Sequence, residues 1–240
     1  MQFADIYRGK RVLLTGHTGF KGSWLSLWLQ RLGAEVTGIA LPPSSTPNHW
    51  GLLKLDFESH VQDVRDAAAV EKIIAAAKPD MIFHLAAQPL VRRSYRDPLE
   101  TLSTNVMGTA NVLEPLAGYL TLGQKLLEGK RDCAGAYNFG PDDASNQSVE
   151  TVLNALSKDW PAVHWQLDGA PQPHEAKLLH LVSGKAKTQL GWQGIWGLDR
   201  GLAATAQWYR QYIDAAAVLT LQQLDDYIAA ATAAKAGWTQ

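Results

Sequence analysis

The chain has 240 residues, 46% of them hydrophobic and 19% charged, enough for a packed core in one large α/β domain or in a domain with a lobe. Its formal net charge of −1 gives no electrostatic case for nucleic acid or an anionic membrane, so a small polar ligand is the expected partner. A single cysteine, Cys133, excludes an internal disulfide framework and reads as an inert buried thiol in a reducing compartment.

The opening stretch "MQFADIYRGKRVLLTG" carries basic residues but only a short apolar run. It reads as neither a signal peptide nor a membrane anchor, and the expected location is cytoplasmic. "KRVLLTG" (10–16) is a buried-strand run that ends in glycine. "GSWLSLWLQRLG" (22–33) follows with Trp24, Leu25, Trp28, Leu29 and Leu32 at helical spacing. "AEVTGIAL" (34–41) is the next strand, and "PPSSTPNHW" reads as a Pro/Ser loop. Then come a short strand and turn in "HVQDVRD" (60–66), a helix in "AAAVEKIIAAAK" (67–78) and a fully apolar strand in "DMIFHLAA" (80–87). Alternating strands and helices predict a parallel sheet with helices on both faces.

"DPLETLSTNVMGTANVLE" (97–114) predicts a helix with Asp97 as N-cap and Pro98 at the first helical position. "LAGYLTLGQKLLEG" reads as helix, "AYNFG" (136–140) as strand and "SVETVLNALSKDW" (148–160) as helix. "VHWQLDG" and "AKLLHLV" read as two more strands, and the tail from Gly184 is helical apart from "GWQGIWG". No internal repeat is present.

Gly16, Gly19 and Gly22 in "TGHTGFKG" lie directly after a strand and open a helix. In that setting the first glycine permits a tight turn. The second lets backbone N–H groups approach a pyrophosphate at the positive helix end, and the third lets helix and strand pack closely. The alternative is an ordinary βα turn. No Asp or Glu closes the second strand, where a ribose 2′-hydroxyl would be recognised, so the residues leave NAD and NADP open. Ser44 and Ser45 are ribose contacts or plain loop residues. Asp63 is either an acceptor for an adenine amino group or a turn residue capping the next helix. His17, inside the turn, either helps to hold phosphate or is an exposed loop histidine. His84 reads as a hydrogen-bonded core residue, and Trp24 with Trp28 as a packing stripe. No metal site is expected.

"TGHTGFKGSWLSLWL", "DVRD", "HLAAQPLVRRSY" and "TNVMGTANVLE" resemble the extended short-chain dehydrogenase/reductase family, and within it the nucleotide-sugar 4,6-dehydratases that take CDP-glucose. "VLEPLAGYLTLGQKLL", "AYNFGP" and "EAKLLHLVSGKAKTQLGW" continue the likeness into the second half. The resemblance implies NAD as cofactor, CDP-glucose or a related nucleotide sugar as substrate, and homo-oligomeric association. In that family NAD takes a hydride from C4, water leaves across C5 and C6, and the hydride returns to C6. Carried over by resemblance, the cofactor-binding residues are Gly16, Thr18, Gly19, Phe20, Gly22, Asp63, Val64, Leu85, Ala86, Ala87, Gln88 and Asn105. Arg92, Ser94 and Tyr95 would lie toward the sugar. The implied fold is a Rossmann-like parallel sheet with flanking helices, incomplete, over residues 1–114. The end of the sheet and the remnant of a smaller nucleotide-sugar lobe would fill residues 115–240.

The family's chemistry needs a Tyr base with Lys four residues later and a Thr-x-Asp-Lys type element that supplies an acid. None of the seven tyrosines here has Lys at i+4, and no such acidic element exists, so no catalytic residue is assigned. Pro115, placed between two helical stretches without turn chemistry, marks where the family pattern jumps. Two separate "VLE" strings of the longer architecture read as fused at Val112–Glu114, with a block on the order of a hundred residues, more than two βα units, absent. The alternatives are an internal deletion or a short protein with an intrinsic proline kink. Functionally they are an inactive dehydratase by descent, or a non-catalytic NAD-binding or subunit-interaction protein.

Overall fold

In the computed structural model the described residues are 1–86, 98–141, 147–166 and 181–240, with only the backbone described over 98–112. Contacts divide the chain into two units. One comprises 1–91, 119–134 and 231–240, the other 92–118 and 135–230.

The first unit is built on four parallel strands: β1 (Arg11–Thr15), β2 (Glu35–Ala40), β3 (Glu58–Val61) and β4 (Met81–His84), in the order β3-β2-β1-β4. The expected parallel sheet is present. β1 lies between β2 and β4, and its Val12, Leu13 and Leu14 are all buried, as befits a strand covered on both faces. The chain leaves β1 through α1 (Phe20–Arg31) toward β2, while β4 arrives on the other side, so the order reverses between β1 and β4. A doubly wound sheet opens its ligand crevice at such a switch point.

Trp24 and Trp28 of α1 are buried, as their spacing implies. Trp28 meets Phe3 and Trp238, which stack on each other at 4.9 Å, so both chain ends lie against α1. Part of the sheet face is covered by the end of α4 (Pro98–Leu127). The Tyr7 hydroxyl donates to the Leu120 carbonyl at 2.7 Å, and a Cβ on Gly123 would sit 3.0 Å from the Met81 sulfur. Glycine there lets the helix approach the sheet closely. α3 (Ala67–Ala77), N-capped by Asp66 rather than Asp63, joins β3 to β4. Ile82 of β4 remains 48% exposed.

α4 runs unbroken through Pro115, so the two helical stretches read on either side of the proline are one helix of 30 residues. The proline cannot donate to the Asn111 carbonyl, and its flanks hold the helix despite that. In the second unit α5 (Val149–Asp159), capped by Ser148, packs Val152 and Leu156 against Leu202 and Ala206 of α6 (Leu198–Ala215). α7 (Thr220–Ala233) closes on α6, where Gln223 donates to the Ala204 carbonyl at 2.6 Å.

Three expectations are corrected. Residues 136–140 form no strand: Tyr137 and Phe139 serve as ring contacts, Phe139 against Trp192. The stretch read as loop before residue 50 ends in a short helix, α2 (His49–Leu53), because Asn48 caps it by accepting from Gly51 N–H. The proposed strands "VHWQLDG" and "AKLLHLV" are coil over 163–166 and 181–182, and their remaining residues lie outside the described ones. Cys133 is buried, as read.

Candidate cofactor site

β1 ends at Thr15 and the chain turns through Gly16, which has φ +76°, into α1, whose N-cap is Gly19. Gly16 N–H donates to the Ile39 carbonyl and Gly19 N–H to the Gly16 carbonyl, closing the turn. The three glycines have distinct roles. A Cβ on Gly16 would stand 2.8 Å from Ala86 N, so β4 passes directly behind the turn. A Cβ on Gly22 would run into the Gly16 carbonyl oxygen, so strand and helix touch there. A Cβ on Gly19 would meet only Gly16 O, at 3.3 Å, which leaves the space in front of the helix start open. Gly19 offers no side chain to cap the first turn of α1, whose N–H groups suit an anion. The cradle fits a dinucleotide pyrophosphate.

Thr18 donates its hydroxyl to the Leu41 carbonyl, which ties the turn to the end of β2. Leu85 N–H donates to the Thr15 carbonyl and Ala86 N–H to the Thr15 hydroxyl, so these two residues line the junction of β1 and β4. The Thr15 hydroxyl also meets His84 Nδ1 at 2.8 Å. His84 is therefore hydrogen-bonded as expected, but it stands exposed on an outer strand rather than in the core. The Asp63 carboxylate is held by the Arg65 guanidinium and N–H, and that pairing pulls its pKa down to about 2. Val64 follows it in the same turn. Ala87, Gln88, Arg92, Ser94 and Tyr95 lie outside the described residues. Asn105 falls within α4, and its side chain is also outside them.

His17 is corrected in both of its readings. Its side chain is fully buried, with Nε2 2.7 Å from Ser59 Oγ and the ring edge-on to Trp50 and Phe57. Burial pushes its pKa down and keeps it neutral. A residue that sequence reasoning missed lies beside it: His49 of α2, also buried, with Nδ1 2.7 Å from Ser23 Oγ and its ring stacked on Trp24. The only sequence signal was a His-Trp pair after a capping Asn. A separate cavity of about 450 Å³ opens at the opposite ends of the strands, lined by Arg11, Glu35, Asp56 and Glu58. It lies away from the switch point. No metal cluster exists among the described residues, and no described helix is long and apolar enough to cross a membrane.

Strand order, glycine turn and switch point define a Rossmann-like α/β fold. Residues 13–126 match the family described as GDP-mannose 4,6 dehydratase. Along most of its length the chain is similar to the CDP-glucose 4,6-dehydratase of Salmonella typhimurium. The two are 29% identical over 354 aligned residues, covering 95% of this chain and 99% of the relative. A GDP-mannose 4,6-dehydratase of Vibrio cholerae is 33% identical over 45% of this chain and 31% of its own length. Among solved structures, the Bordetella bronchiseptica enzyme WbmG in complex with NAD and UDP shares the fold. Its TM-score is 0.58 at 14% identity, over 85% of this chain and 95% of that one. The resemblance carried by "TGHTGFKG" and its companions is thereby borne out.

Proposed function

We propose that this chain is, by descent, a CDP-glucose 4,6-dehydratase that retains the NAD crevice and has lost the acid–base centre. The observation that carries the first half is the glycine turn at the β1/β4 switch point, with an uncapped helix start and open space in front of Gly19. The second half rests on the sequence, in which no tyrosine has Lys at i+4. The alignment supports a deletion: the relative is matched over 354 positions by a chain of 240, so over a hundred of those positions face no residue here.

In this reading the turn N–H groups bind the pyrophosphate of NAD, Asp63 and Val64 meet the adenine, and Leu85 through Gln88 flank the far nucleotide. NAD bound there would supply a hydride acceptor. The chain then lacks a base to take the C4 hydroxyl proton and an acid to protonate the departing C6 hydroxyl. Positioned acid and base groups each contribute about 10²–10⁴-fold, so their joint loss costs roughly 10⁴-fold or more in rate. The second reading, a non-catalytic NAD-binding or subunit-interaction protein, follows from the same gap.

Two measurements separate these claims. Calorimetric titration of the folded protein with NAD is expected to saturate below millimolar concentration, and no saturation would remove the cofactor half. Formation of the 4-keto sugar nucleotide from CDP-glucose, read by its absorbance in alkali, is expected to be undetectable. Turnover near ~1 per second, within the ordinary enzyme range, would show an intact reaction centre and overturn the deletion reading.

A further inference from the structure

A short helix absent from the sequence reading touches the glycine turn's helix at the place where an anion would bind. α2 sends His49 onto the first turn of α1: its Nδ1 lies 2.7 Å from Ser23 Oγ, and its ring lies 5.2 Å from both Phe20 and Trp24. Ser23 is the relay. Its hydroxyl donates to the Phe20 carbonyl at 2.8 Å, and its N–H donates to the Gly19 carbonyl at 2.9 Å. A serine hydroxyl has one proton, and this one is spent on Phe20 O. With that proton on Phe20 O, the Ser23 Oγ lone pairs face His49 Nδ1, and the bond forms with the Nδ1–H tautomer of the imidazole as donor.

We propose that His49 is a positioning residue for the phosphate-binding turn, holding the Gly19–Ser23 turn of α1 in the geometry that presents its N–H groups to a pyrophosphate. This rests on the reading that the glycine turn receives a dinucleotide. Glycine at the N-cap leaves that turn without the side-chain bond that Ser, Thr or Asp would supply, so bracing must come from outside the helix. His49 and Ser23 are both buried, and no water competes for their bond. Burial also keeps the imidazole neutral, with a pKa near 4, so the bond does not depend on charge.

Three variants separate bracing from bulk. His49→Asn places an amide N–H where Nδ1–H stood, His49→Phe keeps the ring and loses the donor, and Ser23→Ala removes the relay. Amide hydrogen exchange of Ser23, whose N–H is bonded to the Gly19 carbonyl, is expected to rise about tenfold in ligand-free His49→Phe and Ser23→Ala, and to stay near wild type in His49→Asn. The double variant His49→Phe/Ser23→Ala should add little beyond Ser23→Ala alone, since that change already removes the bond His49 makes. In parallel, affinity for NAD and for ADP should fall by the same factor in His49→Phe, with adenosine affinity unchanged. Equal exchange in His49→Phe and wild type overturns the proposal, whatever NAD does. A loss equally large for adenosine also overturns it, because that marks a general structural role. Faster exchange without any NAD binding in wild type would keep the brace and remove the dinucleotide reading on which its purpose rests.

Discussion

The two units are held in different ways. The first is organised around apolar side chains: Leu13, Leu14, Trp24, Leu25, Trp28 and Leu29 are almost completely buried, and the aromatic ends of the chain meet against α1. The second has its apolar seam between α5 and α6, and a second organiser of another kind at Glu114, 5% exposed, directly before Pro115. One Glu114 carboxylate oxygen accepts the N–H groups of Ile195 and Trp196 at 2.7 and 2.6 Å, and the other accepts the Tyr227 hydroxyl at 2.9 Å. Its carbonyl accepts the Trp192 indole N–H. A residue of the "VLE" string before Pro115 thus collects "GWQGIW" and α7 around one buried carboxylate. Buried carboxylates are tolerated when hydrogen bonds replace their hydration, and this one has three donors.

The largest expected effect follows from removing that charge. Glu114→Ala strands two buried N–H groups and a phenol, for which a loss of about 3–5 kcal/mol is expected. The loss should fall on the second unit: amides of 195 and 196 exchange rapidly while NAD affinity stays within about twofold. A uniform loss of protection across β1 and α1 would show that the units do not differ in this way. Glu114→Gln, which keeps an acceptor oxygen, should recover part of the loss.

Acid breaks the first unit instead. His49 is held near pKa 4 and titrates in the unfolded chain near ~6.5, so between those values the unfolded state binds the extra proton. Stability therefore falls as pH drops through that window, by about 1.4 kcal/mol per pH unit for this residue. His17, whose pKa burial also lowers, acts with the same sign. Denaturant midpoints between pH 7 and 4.5 measure the slope, and His49→Asn should flatten it. An unchanged slope in that variant would place the acid sensitivity elsewhere.

The glycine turn gives a sharper contrast within the first unit. Gly22→Ala drives a methyl group into the Gly16 carbonyl, which is backbone and cannot swing aside, whereas Gly19→Ala meets one atom, Gly16 O at 3.3 Å, a tight contact that a shift of a few tenths of an ångström relieves. Overpacking of that kind costs typically ~1–3 kcal/mol, and the shifted turn should lose NAD binding altogether. Gly19→Ala should cost little stability and reduce binding alone. Equal melting temperatures for the two variants would contradict the different roles assigned to these glycines.

What the sequence disclosed follows from what carries periodic information. The parallel strands and α1 are regular elements, and Trp24/Leu25 and Trp28/Leu29 repeat at helical spacing, so the existence of all of them and the burial of β1 and α1 were legible, whereas the apolar run of β4 misstated the burial of an outer strand. The resemblance in "TGHTGFKG" and "HLAA" then located the crevice. The buried state of His17 was not legible, because it depends on Ser59, Trp50 and Phe57, which lie 33 or more residues away and reach it only through the pairing of β2 with β3. α2 was hidden by the prolines and serines that precede it, and "AYNFG" has strand composition without a strand partner among the described residues. Glu114 had no signal at all. A carboxylate in an apolar helical run reads as surface until its distant donors are known.

The smallest effect concerns the proline. Pro115→Ala restores an N–H to the middle of α4, and relieving a helix-interior proline is worth about 3 kcal/mol by propensity alone. Two terms oppose it. Alanine frees the unfolded chain, costing about 0.4–1 kcal/mol, and the buried ring gives up two methylenes at about 0.8 kcal/mol each. The balance is a gain of roughly 0.5–1 kcal/mol, or a few degrees in melting temperature for a chain of this size. That sign is the useful part. A stabilised variant is what a proline inherited from a helix start and stranded in mid-helix should give. A variant destabilised by more than about 1 kcal/mol would mean that neighbouring residues are adapted to the proline, as in a short protein with its own kink, and the deletion reading would lose its support at the seam.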